Sequence, residues 1–291
     1  MAPPVRDLSR PPRWWLWPTV LSLDAPIVAL LWQWEIAQTV GLVASGARAF
    51  VLGTSVWLAY SADRWVEGWR LTPERIRTQR HAFYQRRRWP VAALWVVLFA
   101  ADVAAAFRGL SRREFSAGLA LLGLVMLYLL SHQLVHRHRR WRVPKELCIA
   151  FLLGAGVALF LAPRADWAQL RPAAPPFALF VLLCFANCAL ISVWESQVDQ
   201  SHGQTSWARQ FPWGATLSRV FPWLLAGTAL PFFLLAGPPE RAALGCGLAS
   251  CVLLGLVDAA ESRLGGERAR VLADVVLMTP AFFWASALLR R

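Results

Sequence analysis

Apolar residues run along this chain in long stretches separated by short, arginine-rich segments. Nine stretches come within a few residues of the roughly 20 that a helix needs to cross the hydrocarbon core. They fall at about 17–36, 40–62, 90–107, 115–133, 146–163, 175–197, 217–236, 240–258 and 270–288. The eighth is the least regular, because Gly245, Gly247 and Gly255 interrupt it and the loop before it is very short. No internal repeat and no low-complexity linker divides the chain. The pattern therefore predicts an all-α fold: a polytopic membrane helical bundle of about nine transmembrane helices, with residues 1–291 forming a single domain.

Composition strengthens this reading. Hydrophobic residues make up 57% and charged residues 16%, with seventeen Trp and a mean hydropathy of +0.43. These values exclude a disordered or collagen-like chain and argue against a soluble enzyme. The net charge of +13 would invite a nucleic-acid partner in a soluble domain. Here the basic residues flank the spans. Twenty-one fall on one side of the predicted topology and eight on the other, with Arg48 inside a span. The positive-inside rule then places the N-terminus in the cytoplasm, in an inner (cytoplasmic) membrane, and leaves nucleic acid without a role. The start of the chain lacks a short apolar core followed by a small-residue cleavage site, so no removable signal is expected. Trp14, Trp15 and Trp17 read as interfacial anchors. The five cysteines, Cys148, Cys184, Cys188, Cys246 and Cys251, all lie within apolar runs and read as packing residues.

Two spans end in acidic pairs, although a carboxylate at the centre of a membrane helix costs about 2.5–3.5 kcal/mol. Asp63 and Glu67 close the second span, and Glu195 and Asp199 close the sixth. Both pairs are spaced i, i+4, on one helix face, and both fall at the same membrane level. Four convergent carboxylates call for a cation, and an all-oxygen set suits Mg²⁺ together with substrate phosphates. The competing interpretation is two ordinary helix ends, with Asp63 or Glu67 paired locally to Arg64 or Arg70. A third component is the loop from His136 to Glu146, whose Arg139, Arg140 and Lys145 suit either a diphosphate or anionic lipid. Lys145 is the only lysine beside twenty-nine arginines.

In this arrangement the chain resembles the UbiA-type superfamily of intramembrane prenyltransferases. Four places carry the resemblance. Leu23-Asp24-Ala25-Pro26-Ile27 is similar to the family's Leu-Asp-Lys-Pro-Ile-Gly motif, and Ala62 to Gly68 is similar to the second half of its first Asp-rich motif. The stretch from His138 through Pro144 to Gly154 matches the pattern that opens the fifth span. Glu195, Asp199, Gly203 and Ser206 match the second Asp-rich motif. Ala59 and Tyr60 stand where the first motif has an Asn and an Asp, Glu67 and Glu195 where Asp is usual, and His138 where Lys is usual.

The resemblance implies a Mg²⁺-dependent transfer of a prenyl group from a prenyl diphosphate to a lipophilic, aromatic-type acceptor within the membrane. Asp63, Glu67, Glu195 and Asp199 would be metal ligands and catalytic residues, and Arg64, Arg139, Arg140 and Lys145 diphosphate contacts. Asn187 either faces the acceptor or makes a helix–helix hydrogen bond. Asp24 either orients an acceptor hydroxyl or pairs with Arg48. His81 and Arg86-Arg87-Arg88 belong either to a cap over the cavity or to an exposed, lipid-binding surface helix. His132 and His136 share a face, but no third zinc ligand accompanies them. Two other functions are compatible with the sequence: a non-catalytic isoprenoid-phosphate binding or carrier protein on the same fold, and a polytopic transporter.

Overall fold

The structure, a computed structural model, describes residues 11–43, 45–70, 72, 76, 78–131, 143–201 and 205–289. Every regular element among them is helical. The principal helices are α1 (Asp24–Thr39), α2 (Gly46–Arg70), α3 (Gln79–Arg86), α4 (Arg88–Gly109), α5 (Arg112–Leu130) and α6 (Lys145–Leu159). They continue as α7 (Ala174–Trp194), α8 (Ser196–Ser201), α9 (Gly214–Leu235), α10 (Pro238–Leu264), α11 (Gly266–Val276) and α12 (Pro280–Leu289). Among the described residues six helical segments are long and apolar enough to span a bilayer: those built on α4, α5, α6, α7, α9 and α10. The bent pair Trp14–Val20 and α1 makes a seventh if counted as one span. The second and ninth predicted stretches are helical as well. The second is the more polar helix α2, and the ninth is divided between α11 and α12. The protein is an integral, multi-pass membrane protein.

The break in the first span is sharp. Trp14–Val20 and α1 meet at 76°, and Ser22 between them has φ 59°. That left-handed conformation is uncommon for a residue with a side chain. It holds because the Ser22 hydroxyl is fully buried, 2.8 Å from the Tyr84 hydroxyl, and accepts a hydrogen bond from Arg64 Nη1, also at 2.8 Å. Sequence-remote partners thus over-determine a bend that places Asp24 at the first turn of α1, where a carboxylate favours the helix dipole.

The core lies between α1, α6, α7, α9 and α10. Trp32 of α1 is fully buried, stacks on Phe180 of α7 at 5.0 Å, and donates its indole N–H to the Leu277 carbonyl at 2.8 Å. The glycines of α10, which look like weaknesses in the sequence, are points of close approach. A Cβ on Gly247 would stand 2.4 Å from Leu179 Cδ2, and one on Gly255 would stand 2.5 Å from the Trp223 ring. The helix they belong to is the longest among the described residues, at 27 residues. By contrast α4 and α5 expose most of their apolar side chains and form the lipid-facing margin of the bundle.

Candidate functional site

The start of α1, the end of α2, the start of α6, the end of α7 and the start of α11 meet on one side. Between them lies a cavity of about 220 Å³. Its mouth is lined by Asp63, Glu67, Lys145, Glu195 and Asp199, and its deeper wall by Val28, Ile149, Leu153, Ile191 and Leu277. Both acidic pairs therefore open onto one space, although 128 positions separate Glu67 from Glu195 in sequence.

Three of the four acids meet partners remote in sequence. Glu67 Oε2 lies 3.0 Å from His81 Nε2, and the other ring nitrogen of His81 lies 2.7 Å from the Thr78 hydroxyl. Thr78 also caps α3 by accepting from the His81 backbone N–H. One residue thus starts the helix and orients the imidazole. Burial works to raise the Glu67 pKa, but the His81 hydrogen bond and the charges of His81, Lys145 and Arg80 outweigh it and hold it at about 2. Lys145 Nζ lies 3.4 Å from Asp199 Oδ1. Glu195 is gripped from two sides: Arg80 of α3 reaches Oε2 at 3.1 Å, and Arg270 of α11 reaches Oε1 at 2.5 Å.

The interior polar residues form a second group. Arg64 Nη1 donates to the Thr19 carbonyl at 2.7 Å, and Nη2 lies 3.9 Å from Asp24 Oδ2. Asp24 therefore faces Arg64 and not Arg48, which is bound to Glu114 at 2.6 Å at the other end of the bundle. Asn187 donates to Asp274 Oδ1 at 3.0 Å, so it makes a helix–helix hydrogen bond and lines the cavity as well. His81 is 2% exposed, which places α3 against the bundle and excludes a helix lying free on the surface. Arg139, Arg140, His132 and His136 lie outside the described residues.

Three residues of the site escaped the sequence reading. Arg80 and Arg270 counted only as flanking positive charges. Asp274 carried a signal, since it is an acid inside the ninth apolar stretch, where intramembrane carboxylates mark sites.

The donor set is all oxygen and so of the right chemistry for Mg²⁺, which takes about six oxygens in a strict octahedron. The arrangement does not match a resident ion. Among the described residues no three Asp, Glu, His or Cys side chains stand close enough to share one. Both oxygens of Glu195 are engaged by arginines. Of the four acids, Asp199 alone has a buried oxygen, Oδ2, without a partner. These residues, as placed, do not build a magnesium cage.

The fold and the converging helix ends define a class: intramembrane helical bundles with a polar cavity at one membrane face. One solved structure matches the chain. It is an apo structure of a UbiA homolog from Aeropyrum pernix K1, with a TM-score of 0.55 and 16% identity, covering 89% of this chain and 98% of that one. This protein thus shares the fold of that UbiA homolog, at low sequence identity. No protein-family model and no curated protein matches the chain.

Proposed function

We propose that this protein binds a prenyl diphosphate at the cavity mouth and transfers the prenyl group to a lipophilic acceptor, as a divergent UbiA-like prenyltransferase. The observation that carries the reading is the meeting of Asp63, Glu67, Glu195, Asp199 and Lys145 around one cavity that Val28, Ile149, Leu153 and Leu277 also line. In such a site the diphosphate lies at the charged mouth and the prenyl chain runs inward. Cleavage of the allylic C–O bond leaves its electron pair on pyrophosphate, and basic side chains stabilise that charge. Val28, Ile149, Leu153 and Leu277 keep water from the allylic cation. Asp24, Asn187 and Asp274 form the polar patch against which an acceptor is oriented. Magnesium is what the resemblance implies for the acids, and the residues as placed do not fit a resident ion. In this reading the site faces the cytoplasm, the N-terminus lies on the same side, and the chain resides in the inner membrane as a single domain.

The replacement of two first-motif positions by Ala59 and Tyr60 favours one second reading, an isoprenoid-phosphate binder without chemistry. One experiment separates the two. The chain in detergent is supplied with a panel of radiolabelled prenyl diphosphates and a membrane-lipid extract, with Asp63→Asn and Asp199→Asn as controls. Labelled prenyl product and released pyrophosphate, both lost in the variants, support transfer. Binding without release supports the carrier. Equal behaviour of parent and variants would sink both.

A further inference from the structure

Arg80 and Arg270 do more than neutralise Glu195. They arrive from different elements, α3 and α11, and meet on one carboxylate, so two full positive charges answer a single negative one. Each also has a buried Nε–H with no acceptor among the described residues, and both residues line the cavity. A buried donor without an acceptor is costly and rare in folded proteins. Two of them on guanidiniums beside the same cavity point to an anion that supplies the missing acceptors. Guanidinium forks suit phosphate oxygens, binding them through parallel N–H donors.

The first acidic motif is altered in the same sense. Tyr60 stands at a position where the resemblance would place an aspartate, and the Arg64 guanidinium lies 5.8 Å from its ring centroid. On that resemblance the cavity has one acid fewer, and fixed cationic or imidazole groups stand beside three of the acids that line it. Glu67 is held by His81, Asp199 by Lys145 and Glu195 by two arginines.

We propose that this cavity binds a pyrophosphate group without a metal ion, the charge that a divalent cation would bring being supplied by Arg80 and Arg270 from the two sides of Glu195. The inference rests on the reading of the cavity as a diphosphate site and adds what neutralises that ligand. Glu195 acts as the internal anion that keeps the two arginines in position until phosphate oxygens reach them.

Binding of inorganic pyrophosphate and of geranyl diphosphate to the full chain in detergent tests this by calorimetry, once in EDTA and once in magnesium. The expected result is saturable binding of both ligands in EDTA, weakened about tenfold or more in Arg80→Gln and in Arg270→Gln. Glu195→Gln, which releases both arginines, retains or tightens binding in EDTA. Arg80→Lys and Arg270→Lys keep the charge, and retention of partial affinity in them shows that loss in the glutamine variants reflects the ligand contact. A magnesium titration without phosphate is expected to give no heat of binding and no thermal shift. Binding that appears only with magnesium, or that Glu195→Gln abolishes, overturns the proposal while leaving the diphosphate reading standing. No binding in either buffer removes both.

Discussion

His81 and Glu67 meet at 3.0 Å and join the short helix α3 to the end of α2. Together with Arg80 on Glu195 and Tyr84 on Ser22, they fasten α3 across the cavity mouth at three points. Because the Glu67 pKa is depressed to about 2, its sign is fixed. The ionised form stabilises the fold fully above the ordinary carboxylate value, near 4.5, and that contribution is lost as the pH falls toward 2. Thermal unfolding of the wild type and of Glu67→Gln is therefore expected to differ at about pH 6 and to converge on acidification. A difference that stays constant down to about pH 3 would show that the pair contributes nothing through its charge.

The bend at Ser22 makes a second prediction. Ser22→Ala removes the acceptor for Arg64 Nη1 and the partner of the Tyr84 hydroxyl in a fully buried place. A loss of about 1–3 kcal/mol is expected, the usual cost of stranding buried polar groups. Tyr84→Phe strands less and should cost less. Denaturant titration in mixed micelles measures both, and equal stabilities for all three proteins would refute the account.

Helix packing supplies a third. Gly255→Ala places a methyl group within 2.5 Å of the Trp223 ring, inside the contact between α9 and α10. Overpacking of this kind costs about 1–3 kcal/mol. The double variant with Trp223→Leu should recover much of the loss. If Gly255→Ala alone is neutral, the two helices are not as closely packed as described.

The pair Arg48–Glu114 offers a control far from the cavity. Glu114 is fully buried, accepts from Arg48 at 2.6 and 3.2 Å, and completes a capping box with Ser111 at the start of α5. Arg48→Met should lower the melting temperature, with about 1–3 kcal/mol lost, and leave pyrophosphate affinity unchanged. An altered affinity would mean that the two ends of the bundle are coupled.

How much of this was legible in the sequence follows from the range of each interaction. Apolar run length is a local property, so the helical stretches could be read directly, and the acids stood out as two matched i, i+4 pairs at the ends of two apolar stretches. Pairing was not legible. Arg64 is adjacent to Asp63 in the chain, yet it is bound to Thr19 and Ser22 and faces Asp24, some forty residues earlier. Arg80 and Arg270 looked like two of many flanking charges, because only the folded chain brings α3 and α11 to the same side of Glu195. The α10 glycines misled for the same reason. Propensity counts the glycine, while the fold counts the Leu179 and Trp223 side chains that need the space.

Lys145 has a consequence of another kind. The chain has one lysine, and it stands at the cavity mouth beside Asp199. Apart from an α-amino group, the only primary amine in this sequence thus lines the cavity. Growth on ¹⁵N-lysine would give a single ammonium resonance from that position, and an amine-directed reagent would have one interior target. The protein therefore carries its own spectroscopic and chemical reporter, and occupancy of the cavity can be followed without introducing a label.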